Sequence, residues 1–218
     1  MYNLHTHSLL SDGDLLPSEI AVRYAALGYK AIAITDHVDY SNFEFVIKSI
    51  LQFTKHWPKK SPIKVFPGVE FTHLPLDQFK PLVQLARKKG IKIIVAHGET
   101  SAEPVIKGTN IAALKAGIDI LAHPGLITKD EVMFARSKNI FLEITTRKGH
   151  SNTNQHVAKL ALELGAKLIL NHDSHQPQDI ISIEETKEVG RRLGLSNTQI
   201  SSIYKDVEGF LKKVLDNK

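Results

Sequence analysis

The chain contains no cysteine. Disulfides and thiolate metal sites are therefore excluded, and any metal must be held by histidine nitrogens and carboxylate oxygens. No apolar run approaches the length needed to span a bilayer. The first residues lack the basic, apolar and small-residue succession of a signal peptide, so a cytoplasmic protein without membrane contact is expected. There is no low-complexity tract, no interdomain linker and no dense basic block. The formal charge of +5 is spread over many predicted helix faces, so it argues only weakly for nucleic acid as a partner. With 218 residues and an ordinary apolar fraction of 42%, one domain of the barrel type is the natural size class.

What the chain has in quantity is histidine, eleven residues in all, and their positions carry the information. Seven short apolar runs read as strands buried on both faces: 2–7 (YNLHTH), 30–37 (KAIAITDH), 63–71 (IKVFPGVEF), 91–99 (IKIIVAHGE), 118–125 (IDILAHPG), 139–146 (NIFLEITT) and 167–175 (KLILNHDSH). Between them the apolar spacing turns helical, as in 17–27, 77–89, 128–137 and 154–164. Gly28, Gly90, Gly117 and Gly165 each fall between a helical stretch and the next strand, where a left-handed cap is wanted. From about 179 the pattern gives C-terminal helices with a break near LGLSNTQ. The alternation predicts parallel β-α units in an α/β fold, as a covered sheet or a closed barrel.

The polar residues return at one topological place. His5 and His7 end the first run, His37 the second, Glu70 the third, His97 the fourth, His123 the fifth, and Asp173 and His175 the seventh. In a parallel α/β fold all strand C-termini face one side, so these groups converge. Residues two apart on a strand share a face, which turns His5 with His7, and Asp173 with His175, into inward clamps. One histidine at a strand end is ordinarily a hydrogen-bonded core residue. So many ionisable groups buried together are very costly unless cations or hydrogen bonds compensate them. His and carboxylate donors suit zinc, iron or manganese.

The stretches HTHSLLSDG, AITDH, PGVEF, AHGE, AHPG and NHDSH resemble, in order, the motifs of the polymerase and histidinol phosphatase (PHP) family. The resemblance runs from position 5 to about 175. It implies a distorted seven-stranded TIM-like β/α barrel, up to three divalent metal ions and the cleavage of phosphoesters. By that resemblance one metal takes His5, His7, Glu70 and Asp173. A second shares Glu70 and adds His97 and His123. A third takes His37, His175 and Asp12, with Asp14 as a rival for the last place. The catalytic set is then His37, His175, Asp173 and Glu70, around a water activated between metals. The leaving group takes its proton from a metal-site histidine or a residue behind it.

The sixth run supplies no ligand but opens into TRKGH. Arg147 is the candidate phosphate-binding residue, with Lys148 and His150 behind it and the free N–H groups of a helix start near Ser151; the alternative is a solvated basic loop. Asp36 either orients an imidazole or is an exposed loop carboxylate, and Glu143 is expected to hydrogen-bond to ligands from behind. His56 and His156 read as surface residues, His73 could line the pocket, and His172 should point away from the mouth. The expected activity is hydrolysis of a small phosphorylated substrate, most simply a monoester. An oligonucleotide phosphodiesterase or exonuclease would want aromatic stacking platforms, and only Phe71 lies close to a proposed ligand. A protein-tyrosine phosphatase on the same site, or a non-catalytic metal-stabilised interaction module, completes the alternatives. Oligomeric state is left open.

Overall fold

The computed structural model describes residues 1–216, and its strands follow the expected alternation. In chain order they are β1 (Tyr2–Asn3), β2 (Ala31–Ile34), β3 (His37–Val38), β4 (Lys64–Phe71), β5 (Ile93–His97), β6 (Ile120–Ala122), β7 (Phe141–Thr145) and β8 (Leu168–Asn171). All pairings are parallel, in the order β1-β2-β4-β5-β6-β7-β8. The expected strand 30–37 is interrupted at Thr35 and Asp36, and β3 continues its course beside β4. Seven strand positions thus form a nearly closed α/β barrel.

The seam between β1 and β8 is made largely by side chains. Asn171 Oδ1 accepts from Leu4 N (2.9 Å) and Asn3 Oδ1 accepts from His172 N (2.8 Å). Only further on does the backbone take over, with a bridge between Thr6 and Ser174 and a bond from His7 N to Ser174 O (2.8 Å). These amide side chains satisfy main-chain groups that a regular ladder would otherwise pair. That is why the first and last runs are shorter as strands than their apolar patterns suggest.

Among the described residues, eight α-helices surround the barrel: α1 (Pro17–Ala26), α2 (Phe43–His56), α3 (Phe79–Lys89), α4 (Thr109–Ala116), α5 (Lys129–Lys138), α6 (Asn154–Leu164), α7 (Ile183–Arg192) and α8 (Asn197–Asp216). Local chemistry sets several boundaries. Thr128 caps α5 in a capping box with Glu131, and Gly90, Gly117 and Gly165 end their helices in the left-handed region. Gly28 stands one place beyond the cap of α1, with φ at 83°.

Strand alternation sorts the apolar residues into two cores. Ile32, Ile34, Val69, Ile94 and Leu142 face outward into the layer under the helices. Ala31, Ala33, Phe66, Ile93, Val95, Ile120, Phe141 and Ile169 fill the barrel interior, where Val207 and Leu211 of α8 join them. Continuing along the same inward faces, the side chains change character. Phe66 is followed by Gly68 and Glu70, Val95 by His97, Phe141 by Glu143, and Ile169 by Asn171 and Asp173. The barrel therefore has an apolar floor and an ionisable mouth. No helix among the described residues is long and apolar enough to cross a membrane.

Candidate metal centre

At the mouth, His5, His7, Glu70, His97, His123, Asp173 and His175 are all buried and lie together. His37 is half-buried, and Asp12 reaches in from the loop after β1. The innermost contacts are regular. His5 Nε2 is 3.4 Å from Glu70 Oε2 and 3.5 Å from Asp173 Oδ1; His7 Nε2 is 3.5 Å and 3.2 Å from the same two oxygens. Four donors each about 2.1 Å from one tetrahedral cation stand about 3.4 Å apart along their edges. The observed separations match that figure.

Those same atoms lack hydrogen bonds. Among the described residues, His5 Nε2, both nitrogens of His7, Glu70 Oε1, His123 Nδ1 and Asp173 Oδ1 are buried and unpaired, and Glu70 Oε2 has only the His37 Nδ1 ion-pair contact at 2.9 Å beside the first set. An unpaired buried polar group costs about 1–3 kcal/mol, and more when charged. So dense a set of orphaned lone pairs fits a divalent cation, which would satisfy several at once. The backbone is also strained here: His123 and Asp173 have φ of 28° and 51°. The twist at His123 lets it turn inward directly after the inward-facing Ala122 of β6.

Two further groupings adjoin the first. Asp12 lies 3.6 Å from His37 Nε2 and 3.3 Å from His175 Nε2, and those two nitrogens are 3.5 Å apart. Asp14, its rival in the sequence, is exposed, and only its backbone N–H reaches this region, donating to His175 O (2.7 Å). On the other side His123 Nε2 is 3.9 Å from Glu70 Oε1, and His97, His123 and His150 can share one ion.

The charges follow from burial and neighbours. Burial disfavours ionised Glu70, yet the His5 and His37 imidazoles hold it well below the usual carboxylate range. Burial lifts Asp173 to about 6 despite His5 beside it. Burial also opposes protonation of His5, but Glu143, Glu70 and Asp173 together overcome it and raise the imidazole well above its ordinary value. His7 and His123 are pushed well down, by burial first and by neighbouring histidines second. Asp12 is partly desolvated, but its bond with His175 and the nearby His37 bring it to about 2.

The surroundings correct several expectations. Asp36 touches no imidazole: its carboxylate accepts from Ser8 N (2.7 Å), Ser8 Oγ and Ser11 Oγ, and so ties down the loop that carries Asp12. The N–H groups near Ser151 are not free, since Ser151 N donates to Arg147 O and Asn152 N to Gly149 O. Lys148 is exposed and does not line the basin. Arg147 does line it, donating to Asp173 O (3.2 Å) and touching His175 Nδ1. His150 is buried against the histidines, its ring 4.3 Å from that of His123. His156 is half-buried and donates to Ile127 O, whereas His56 is exposed. Glu143 accepts from His5 Nδ1 at 2.7 Å. His172 lies outside the barrel wall, bonded to Tyr24, Tyr29 and Thr186.

One acidic residue of the basin has no signal in the sequence. Glu103, on the loop between β5 and α4, stands 3.2–3.4 Å from His73, His97 and His150. Its bond with His97, against a smaller cost of burial, brings it to about 2. A loop carboxylate has no periodicity to mark it. The basin these residues line has a volume of about 520 Å³, and Phe71 is buried in the outer core away from it. Among the described residues, no phenylalanine, tyrosine or tryptophan lines it.

Residues 3–150 match the PHP domain. The chain belongs to the PHP domain family. An uncharacterized protein of Methanocaldococcus jannaschii, MJ1295, is 41% identical over 206 residues, covering 92% of this chain and 93% of its own. The DNA polymerase/3′-5′ exonuclease PolX of Bacillus subtilis is 26% identical over 97% of this chain, but this chain spans only 41% of PolX. Among solved structures, the histidinol phosphate phosphatase of Lactococcus lactis, complexed with zinc, L-histidinol and phosphate, superposes with a TM-score of 0.61 at 19% identity. That match covers 94% of this chain and 93% of the phosphatase. An Arabidopsis N6-mAMP deaminase gives 0.56 at 12% identity, covering 96% and 92%. Membership and donor set together make this PHP protein a metal-dependent phosphoesterase.

Proposed function

We propose that this PHP protein hydrolyses a small, polar phosphomonoester at a centre of two or three divalent cations. His5, His7, Glu70 and Asp173 would hold the first. Glu70, His97 and His123 would hold the second, and Asp12, His37 and His175 the third. The observation that carries this reading is the ring of unpaired buried donors at 3.2–3.5 Å from one another. Such cations supply an activated water at neutral pH and neutralise charge that builds on the phosphate oxygens. Zinc, manganese and iron all accept these donors. The phosphatase name of the Lactococcus structure agrees with the reaction class.

The chain's own groups do the rest. Glu70 stands between the first two sets, with Oε2 toward His5 and His7 and Oε1 toward His123. Glu143 holds the His5 ring so that Nε2 faces the carboxylates. Arg147 swings its guanidinium from Asp173 to the incoming phosphate, whose planar oxygen pair it matches. With His37 and His175 turned to Asp12 through Nε2, where they would hold the third cation, the leaving alkoxide would take its proton from solvent at the open side of the basin. The absence of aromatic platforms from the basin lining favours a small leaving group over a nucleobase.

Hydrolysis of a chromogenic phosphomonoester against its bis-ester analogue, with added manganese or zinc, tests this directly. Turnover of the monoester alone is the expected result. Turnover of the bis-ester alone makes the protein a phosphodiesterase, the activity that the PolX relationship would favour. Neither, with metal bound, leaves an interaction module.

A further inference from the structure

The second set of donors is the poorest of the three as read from the strand ends. It has His97 and His123, and it must share Glu70 with the first. Two residues outside the strand-end pattern lie against it. His150 is 5% exposed, in the turn after β7, with its ring 4.3 Å from that of His123 and 5.8 Å from that of His97. Glu103 aims one oxygen at His97 Nε2 (3.4 Å) and the other at His150 Nε2 (3.3 Å).

We propose that His150 and Glu103 are further ligands of the cation held by His97 and His123. The inference rests on the metal centre proposed above and adds two donors to it.

The orientation of His150 is set from behind. Its Nδ1 is 3.1 Å from Thr100 Oγ1, so a proton on Nδ1 is satisfied there and Nε2 presents its lone pair to the basin. Metal-bound histidines are characteristically oriented this way, one nitrogen on the ion and the other on an oxygen behind it. His97 has a parallel arrangement, with Nδ1 3.0 Å from Gly98 O and Nε2 toward Glu103. Glu103 reaches His97 through Oε2, which also lies 3.2 Å from His73, and His150 through Oε1, so it would join the two imidazoles with one oxygen toward each. An arginine-rich phosphate pocket is the competing use for the loop that carries His150. Against it, Lys148 is exposed and outside the basin, so among the described residues Arg147 is the one arginine or lysine lining it. A plain ion pair between Glu103 and protonated histidines is the competing use for the carboxylate.

Zinc titration of the metal-stripped full chain against a chromogenic chelator separates these uses. The variants are His150→Ala and Glu103→Gln, and cobalt absorption is recorded on each to read coordination number. Either change should weaken one equivalent at least about tenfold, leave the tightest equivalent unaltered and shift the cobalt band. Glu103 is half exposed, so its replacement does not endanger the fold. Wild-type zinc affinity and an unchanged cobalt spectrum in both variants would overturn the inference while leaving the metal centre standing. A wild-type chain that binds no zinc would remove the metal centre itself.

Discussion

His5 Nδ1 lies 2.7 Å from Glu143 Oε1, deep in the barrel, and the two side chains come from just past β1 and from β7, 138 residues apart. Glu143 is further fixed by Asn171 Nδ2 (2.9 Å) and by His123 N (3.2 Å). It therefore touches a donor of the first set and the backbone of a donor of the second. Replacing Glu143 with Gln keeps the shape but removes the charge that orients His5. Affinity for the tightest cation should drop about 10–100-fold with the fold intact. Zinc competition on the purified variant reads this, and unchanged affinity would mean that Glu143 merely fills space.

Arg147 offers a second test because its partners are asymmetric. Its Nη1 donates to Asp173 O, and its Nε is 3.8 Å from Asp173 Oδ2, so the guanidinium is already aimed at the basin. A charge-assisted hydrogen bond lost in Arg147→Ala removes about 1.5–3 kcal/mol. The expected outcome is KM raised roughly tenfold or more, with kcat and metal content close to wild type. A fall in kcat at constant KM would instead assign the guanidinium to the transition state.

How far the strand ends spoke for themselves can be judged from particular residues. Glu70, His97, Asp173 and His175 are legible because each lies on the inward-facing alternation of its run, whereas His5 and His7 follow the inward Leu4 out of register and are legible only as strand-end residues that topology delivers to one place. His123 follows the same rule only because its backbone departs from strand geometry, which no apolar pattern announces. Asp36 was misread since the break after β2 turns its side chain toward Ser8 rather than toward an imidazole. His150 sits in a turn and Glu103 in a loop, and neither position has a period from which a direction can be inferred. The Asn3 and Asn171 seam was likewise hidden, because a buried amide in an apolar run does not say which backbone group it serves.

Gly125 marks where that loop is pinned. Its φ is 64°, and a β-carbon built there would stand 1.7 Å from Glu99 O. Glu99 in turn accepts from Gly108 N and Asn110 N (3.0 Å each), so the segment carrying Glu103 is anchored at its base. Gly125→Ala must either distort the left-handed turn or push that segment outward, at a cost of at least about 2 kcal/mol. A melting temperature lower by about 4–8 °C is expected from calorimetry. A shift within one or two degrees would show that the segment yields without resistance.

His172 provides the test of pH dependence, on the outer side of the strand that delivers Asp173. Burial pushes its pKa down to about 3, and the imidazole is held neutral between Tyr24 Oη (2.8 Å), Tyr29 Oη (3.0 Å) and Thr186 Oγ1 (2.8 Å). The unfolded chain protonates this group near its ordinary value of about 6.5, whereas the folded chain does not until about 3. Between those values the unfolded state binds more protons, so stability is complete above about pH 6.5 and is lost as pH falls. From this residue alone the loss reaches about 2 kcal/mol by pH 5. Melting temperatures of the wild type and His172→Gln at pH 7.5 and pH 5, with chelator present to suppress metal release, isolate the effect. The variant is less stable at pH 7.5 because it loses the hydroxyl cage, yet its stability should fall less on acidification. Parallel falls in the two proteins would mean that some other group, and not this imidazole, sets the acid limb.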